Sequence, residues 1–301
     1  MQTTLSFLFQ NFIQECQYSR RLRPETLRGY REVFRLFQKL MPELDTSQSL
    51  TDEMLIEFFK RIYHRQSNPI KESTTRTYWS KLFSFFKWLQ LKGIISTNPL
   101  IAIKPPNVEY TDRKALEAHE LQKIITAITL HPINTFLLRR DIAMIHVLLY
   151  CGLRKNELIS LMVGDIDLSK RELIVLGQTS KSKKTRRIPI HPTLAYHLKE
   201  YILERNKKNH KSPRLWLHWN KDSPLTVHGL KHWVKRLRKL SGVRFHLHQF
   251  RHCFAYALAK KNISAIKIQK LMGHADLRMT MTYVRSLTSE DLRNDIETLS
   301  F

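Results

Sequence analysis

Two adjacent prolines, Pro105 and Pro106 in the stretch IKPPNVEYTDRK, limit what this chain can fold into more than any other feature. Proline fixes its own φ, offers no N–H, and pushes the residue before it out of the helical region. No helix crosses such a pair, so the chain divides into residues 1–104 and residues 115–301, joined by an extended connection over 105–114. At 301 residues there is enough chain for a core on each side.

The first part reads as four helices with no strand signal. In PETLRGYREVFRLFQKLM, Leu27, Tyr30, Phe34, Phe37 and Leu40 recur at helical spacing, and Pro24 suits a first helical turn. Arg28, Arg31, Arg35 and Lys39 fall mostly off that stripe. A second clear helix starts at Ser73 or Thr74 and runs through TTRTYWSKLFSFFKWLQLKG, with Gly93 as its stop and Pro99 beyond. Aromatics at helical spacing are usually core rather than stacking platforms, so Phe83, Phe86 and Trp88 are assigned to packing. Arg76, Lys81 and Lys87 interrupt that aromatic face, where a basic residue either meets a polyanion or is simply solvated.

The second part mixes helices with one segment of a different kind. Helices are expected over 117–129, 135–151, 192–209, 226–240, 248–260 and 264–272. Among them, ELIVLGQTSKSKKTRRIPI at 172–190 places two β-type runs around a basic, hydroxyl-rich turn, which is the pattern of a hairpin. The fold class is therefore mostly α with a small β-sheet, an α+β arrangement behind a helical N-terminal domain. The tail SLTSEDLRNDIETLSF carries Leu292, Ile296 and Leu299 on one helical face, which either docks on its own domain or packs on a neighbouring subunit.

Charge narrows the partner. The chain holds 51 Lys and Arg against 26 Asp and Glu, a net +25. Residues 1–105 carry 16 basic and 9 acidic side chains, and the remainder carry 35 and 17. An excess on both parts suits a polyanion held from two sides better than it suits one basic tail, a merely soluble basic protein or a membrane-surface binder. Cys16, Cys151 and Cys253 lie far apart and never form CxxC, so neither a disulfide framework nor a structural zinc site is indicated. The apolar run IAMIHVLLYCGL at 142–153 is too short to span a bilayer, and MQTTLSFLFQNF lacks the basic leader of a secretory signal. The expected setting is the cytoplasm, in association with the nucleoid.

Residues with chemistry crowd into HQFRHCFAYALAKKNISAIKIQKLMGHADLRMTMTY, which holds His248, Arg251, His252, His274 and Tyr283. If its first stretch is helical, His248 and Arg251 share a face, and Tyr283 follows a break at Gly273 on a separate short element. Attack on a phosphodiester builds negative charge on the non-bridging oxygens, and without a metal ion guanidinium groups are the natural complement. Two arginines make the smallest useful clamp. Arg154, opening a helix in GLRKNELISL, and Arg251 both sit among apolar residues, where an unpaired charge is costly. Glu157 is close enough to orient Arg154. A tyrosine ester would keep bond energy for a second transfer, although composition cannot choose among ten tyrosines. Free tyrosine has a pKa of about 10, so cations or a base must help it ionise, and His248, His252 and His274 are the nearby groups. The sugar hydroxyl is a poor leaving group and needs an acid. Lys181 on the hairpin tip is the candidate, with Lys183 and Lys184 beside it as phosphate contacts.

Taken in order, GLRKNELISL, TSKSKKTRRIPI, HLHQFRHCFA, LMGH and TMTYV resemble the tyrosine recombinase family of phage integrases and Xer proteins. The resemblance covers residues 115–290 as a catalytic domain, and the helical first part is similar in kind to the family's SAM-like core-binding domain. It implies that Arg154 and Arg251 clamp the scissile phosphate, that Tyr283 attacks it to give a 3′-phosphotyrosine and a free 5′-hydroxyl, and that Lys181 protonates that hydroxyl. It further implies that His248 acts as general acid or base near the tyrosine and that His274 hydrogen-bonds the phosphate. Glu157 would support Arg154, and His252 would have a supporting role. No cofactor or metal is implied. The implied partners are double-stranded DNA and sister subunits in a tetramer, either of one chain or with a related recombinase, with exchange of the C-terminal tail between subunits. The implied outcome is DNA integration, excision or resolution. Three departures stand out: the hairpin turn QTSKSKK is longer than the common Gly-rich forms, Phe250 replaces a usual leucine, and Arg285 stands where a histidine is frequent.

Two further readings share the fold: a catalytically silent DNA-binding accessory protein, and a type IB topoisomerase-like enzyme that relaxes supercoils. The full set of catalytic positions argues against the first, and the two-part layout with its tail argues against the second. Candidates for DNA contact are Arg28, Arg31, Arg76, Lys81, Lys183, Lys184, Lys231 and Lys235. If these charges displace counterions, DNA affinity measured by titration falls steeply as salt rises. A flat salt response would contradict the charge argument.

Overall fold

The computed structural model describes residues 3–64, 70–107, 115–180, 184–288 and 290–291. Its contacts divide the chain into one unit over Met1–Tyr110 and another over Thr111–Phe301.

In the first unit, α1 (Leu5–Gln14) begins where the Phe7 N–H donates to the Thr4 hydroxyl at 3.3 Å, and it runs on into a π-helical turn, Glu15–Ser19. α2 (Pro24–Leu40) opens on the expected proline, and α3 (Asp52–His64) on two acidic residues that complement a helix N-terminus. α4 (Glu72–Leu91) ends just before Gly93. The apolar faces meet in an aromatic core. Phe9 stacks on Phe34 with ring centroids 3.8 Å apart, and Phe37 meets Phe58 and Phe86 edge to face. Of the residues assigned to packing, Phe86 and Trp88 are buried, while Phe83 is half-buried and stacks on Trp79.

In the second unit, α5 (Ala118–Leu130) is followed by α6 (Thr135–Cys151), which is buried on nearly every face and packs against α8 (Pro192–Asn206) and α10 (Leu247–Lys260). α6 supplies the centre of this core, its buried Arg140 and Asp141 paired with each other at 2.8 Å. After the short α7 (Lys155–Ser160) come β1 (Ile166–Asp167), β2 (Glu172–Val175) and β3 (Arg186–Pro189), an antiparallel sheet in that order. Leu173 pairs with Ile188 and Val175 with Arg186. The sequence led us to expect only the β2–β3 hairpin; β1 is two residues long, too short to show an alternating pattern, and is placed by the pairing of Ile166 with Leu173. α9 (Val227–Ser241) packs on α5, and α11 (Ala265–Met272) and α12 (Arg278–Arg285) pack on α10.

The helix expected over 192–209 stops at Asn206, where the Lys207 N–H turns back to the Leu203 carbonyl and Asn209 adopts a left-handed φ of +50°. Most of the tail helix read over residues 286–301, from 292 onwards, lies outside the described residues, as does most of the 105–114 connection. Among the described residues no helix is long and apolar enough to cross a membrane.

Phe12 is wholly buried between the rings of Phe9, Tyr30, Phe85 and Trp88. Phe12→Ala should therefore remove about 3–5 kcal/mol of stability, read as a lowered denaturant midpoint. A loss under about 1 kcal/mol would show that this cluster does not hold the first unit together.

Candidate active site

The site is organised by the end of one short helix. α11 stops at Gly273, whose φ of +62° suits glycine, and the chain turns so that the Gly273 and His274 N–H groups donate to the carbonyls of Lys270 and Gln269. The next three carbonyls face arginines instead. Arg186 Nε donates to Leu271 O at 2.9 Å, Arg251 Nη2 to Met272 O at 2.5 Å, and Arg154 Nη2 to Gly273 O at 3.2 Å. Helix C-termini leave such carbonyls without intrahelical donors and carry a partial negative charge, so cations are favoured there. Arg251 also donates to the carbonyl of Gly152, the left-handed residue closing α6, at 2.6 Å. One fully buried guanidinium thus joins the ends of two helices.

Glu157, also fully buried, binds two of these arginines. It accepts from the Arg154 backbone N–H at 2.9 Å and from Arg154 Nη1 at 2.9 Å, while Arg186 reaches both of its oxygens, at 3.1 and 2.8 Å. Burial by itself pushes this carboxyl up, but the hydrogen bonds and charge of Arg186, followed by those of Arg154, outweigh it and bring the pKa to about 2. Arg251 shifts the other way. Burial, then the like charge of Arg154, lowers it to about 9, which leaves it protonated at neutral pH.

Beside this cluster four aromatic rings run in sequence. His248 meets His252 edge-on at 4.7 Å between centroids, His252 lies 5.4 Å from Tyr283, and Tyr283 lies 6.3 Å from His274 with nearly parallel planes. His274 Nδ1 is held at 2.8 Å by the hydroxyl of Thr280, a fully buried residue on α12. Burial, then Arg251, Arg154 and Arg186, lower the His274 pKa to about 3, so it is neutral at physiological pH. For Tyr283 the expectation that cations ease ionisation holds only in part. Burial raises its pKa, and Arg251 and Arg154 offset some of that rise, so the resting phenol stays protonated.

The structure therefore brings together Arg154, Glu157, Arg251, His252, His274 and Tyr283, with His248 at the exposed edge. Lys181 and Lys183 lie outside the described residues; Lys184 is exposed. Arg28, Arg31, Arg76, Lys231 and Lys235 are exposed on their helices, and Arg31 and Arg35 line a groove with Gln10, Gln14 and Gln38. Lys81 departs from the reading of a free surface cation. It is half-buried, its ammonium sits over Gly29 of α2 where no side chain intervenes, and burial lowers its pKa. Sequence reasoning passed over Arg186, although the signal was present. Arg186 shares the parity of Ile188 and Ile190, both buried, whereas Arg187 alternates outward to Glu172.

Residues 114–290 match the phage integrase family, and residues 9–93 match the phage integrase N-terminal SAM-like domain. The chain is similar to a tyrosine recombinase of Pseudothermotoga lettingae, with 29% identity over 94% of this chain and 95% of the relative. It is similar also to tyrosine recombinase XerD of Listeria monocytogenes, at 29% over 92% and 93%. Among solved structures, the fold resembles the Tn1549 transposon integrase in complex with transposon right end DNA (TM-score 0.77, 19% identity, 98% of this chain and 99% of that one). It also resembles the XerH site-specific recombinase bound to palindromic difH substrate (TM-score 0.71, 21% identity, 94% and 82%).

The depressed pKa of His274 predicts acid sensitivity. Between its ordinary value of 6.5 and about 3, the unfolded chain takes up a proton that the folded site refuses, so stability falls as pH drops through that window. Glu157 adds a loss of the same sign, but only from 4.5 down towards about 2. Unfolding free energies measured between pH 6.5 and 4.5 should therefore be flatter in His274→Gln than in the parent. Identical slopes would contradict the assignment.

Proposed function

The chain belongs to the phage integrase family, and on that premise we propose that its buried arginine cluster cuts and rejoins DNA in the manner of a site-specific tyrosine recombinase. The observation that supports this most is the convergence of Arg154 and Arg251 on the end of α11, close enough to Tyr283 to pull on its ionisation. A phosphodiester set between the two guanidinium groups would have the charge of its non-bridging oxygens met by donors already fixed in place.

In the first step the Tyr283 oxygen attacks phosphorus and the bond from phosphorus to the 5′ oxygen breaks. The product is a 3′-phosphotyrosine and a free 5′-hydroxyl. The phenol proton leaves towards the histidine side of the ring row, with His248 as the base and His252 supporting it. The departing 5′ oxygen takes a proton from Lys181. His274, with Nδ1 held by Thr280, keeps Nε2 for a phosphate oxygen and acts as a neutral partner. Glu157 orients Arg154. In the second step a 5′-hydroxyl from another strand gives its proton back to Lys181 and attacks the phosphotyrosine, the bond from phosphorus to the Tyr283 oxygen breaks, His248 returns the proton to the phenolate, and the strand is rejoined with no outside energy source.

The exposed arginines and lysines of α2, α4 and α9 would hold the duplex backbone, and residues 1–104 would act as the core-binding domain. Strand exchange between two duplexes needs four such sites, so the working form is a tetramer on DNA, of this chain alone or with a related recombinase. The tail beyond Asp291 would then pack on a neighbouring subunit. Asp291 itself is tied to its own α10, accepting from Tyr256 at 2.6 Å and pairing with Lys260 at 2.9 Å, so an exchange would begin after it.

The test has two stages. DNA fragments retained by the protein are sequenced to give its site, and a nicked duplex carrying that site is then incubated with the protein. A covalent adduct at Tyr283 is expected, with Tyr283→Phe still binding the duplex but forming none. No adduct from the parent chain, or one that survives the substitution, would sink the proposal.

A further inference from the structure

We infer that Arg186 is a positioning residue of this site, holding Glu157 and the end of α11 so that Arg154 meets the phosphate with its positive charge uncancelled. This rests on the reading of the pocket as a phosphodiester site. Three observations carry it.

The first is occupancy. Arg186 commits Nε to Leu271 O and both terminal nitrogens to Glu157, whereas the side-chain bonds of Arg154 and Arg251 run from their terminal nitrogens. Its planar fork is thus turned inward on three protein acceptors, the geometry in which guanidinium groups fix an orientation. The second is charge. Glu157 carries one negative charge and faces two arginines. Bound to Arg154 alone, it would leave a neutral pair and only Arg251 to face the phosphate. The second guanidinium compensates the carboxylate, which frees the charge of Arg154 for the ligand while leaving its geometry fixed.

The third is fit. A Cβ built on Gly273 would lie 3.0 Å from Arg186 Nη1 and 3.1 Å from its Cδ. The side chain therefore packs directly under the turn whose carbonyl holds Arg154 and whose next residue is His274. Through one side chain, strand β3 sets both the carboxylate and the helix end against which Arg154 is aligned.

The experiment uses the full chain and the nicked duplex obtained by selection on it. Arg186→Met removes the fork at similar length, and should slow formation of the Tyr283 adduct by about 10- to 100-fold, the loss typical of a misplaced catalytic group, with binding to the same duplex unchanged. Arg186→Lys keeps a cation without the two-pronged geometry and should slow the reaction less. Because Arg186 acts through Arg154, the double variant Arg154→Ala with Arg186→Met should be no slower than Arg154→Ala alone. A duplex with a methylphosphonate at the scissile position carries one negative charge fewer, in the ground state and in the transition state, so on it the gap in rate between the parent and Arg186→Met should narrow.

Multiplied losses in the double variant would overturn the inference, as would a defect of undiminished size on the methylphosphonate. Failure of both the Met and the Lys variant to fold would make Arg186 a stability residue and overturn it too. A parent chain that forms no adduct would instead refute the recombinase reading, whereas a reactive parent with an equally reactive Arg186→Met would refute this inference alone.

Discussion

A helix that ends on a left-handed glycine leaves its last carbonyls without helical donors, and in α11 those oxygens belong to Leu271, Met272 and Gly273. Each takes a guanidinium from a different element: Arg186 from β3, Arg251 from α10, and Arg154 from the start of α7. Three segments distant in sequence are thereby pinned to one point, the negative end of a helix dipole. The arrangement explains how so basic a cluster is tolerated in a folded core. A buried guanidinium without partners would be strongly destabilising, whereas hydrogen bonds to charged groups contribute about 1.5–3 kcal/mol each. Carbonyl oxygens and Glu157 together satisfy the cations without cancelling their net charge.

That surplus is what the chemistry of an anionic phosphodiester requires. In the proposed reaction the donors are held before DNA arrives, so no reorganisation would be needed as charge develops in the transition state. The same field keeps His274 neutral and lowers the cost of ionising Tyr283, although burial still dominates and the phenol is protonated at rest. On the proposed reading, Tyr283 is a nucleophile activated only when a phosphate and a base are both in place, and so is protected from idle reaction. Lys81 shows the contrasting case in the first unit: a lysine set over Gly29 loses solvent, and its ammonium is weakened by burial.

How much of this was legible in the sequence depended on whether the cause was local. The helices of α2 and α4 could be read because Phe34, Phe37 and Phe86 recur at helical spacing, and each of them is buried. The division near Pro105 follows from proline chemistry. Arg154 and Arg251 could be reached from what phosphoryl transfer demands, but Tyr283 was singled out among ten tyrosines only by the ordered motifs around it. Arg186 was lost because two adjacent arginines in a basic turn look alike, and only strand parity with Ile188 and Ile190 separates the inward one from the outward one. The three carbonyl contacts at the end of α11 span up to 119 residues of chain, and no local pattern could announce them. Strand β1 escaped because two residues have no period.

In the proposed reaction the end of α11 holds Arg154 and Arg251 ready for a phosphate while Arg186 stays on the protein. The most direct measurement is a crystal structure of the Tyr283→Phe chain bound to an uncut duplex carrying its selected site. The non-bridging oxygens of the scissile phosphate should lie within hydrogen-bonding distance of Arg154 and Arg251, with Arg186 still bonded to Glu157 and the Leu271 carbonyl. A phosphate seated elsewhere, or an Arg186 that has left Glu157 to bind it, would refute this arrangement.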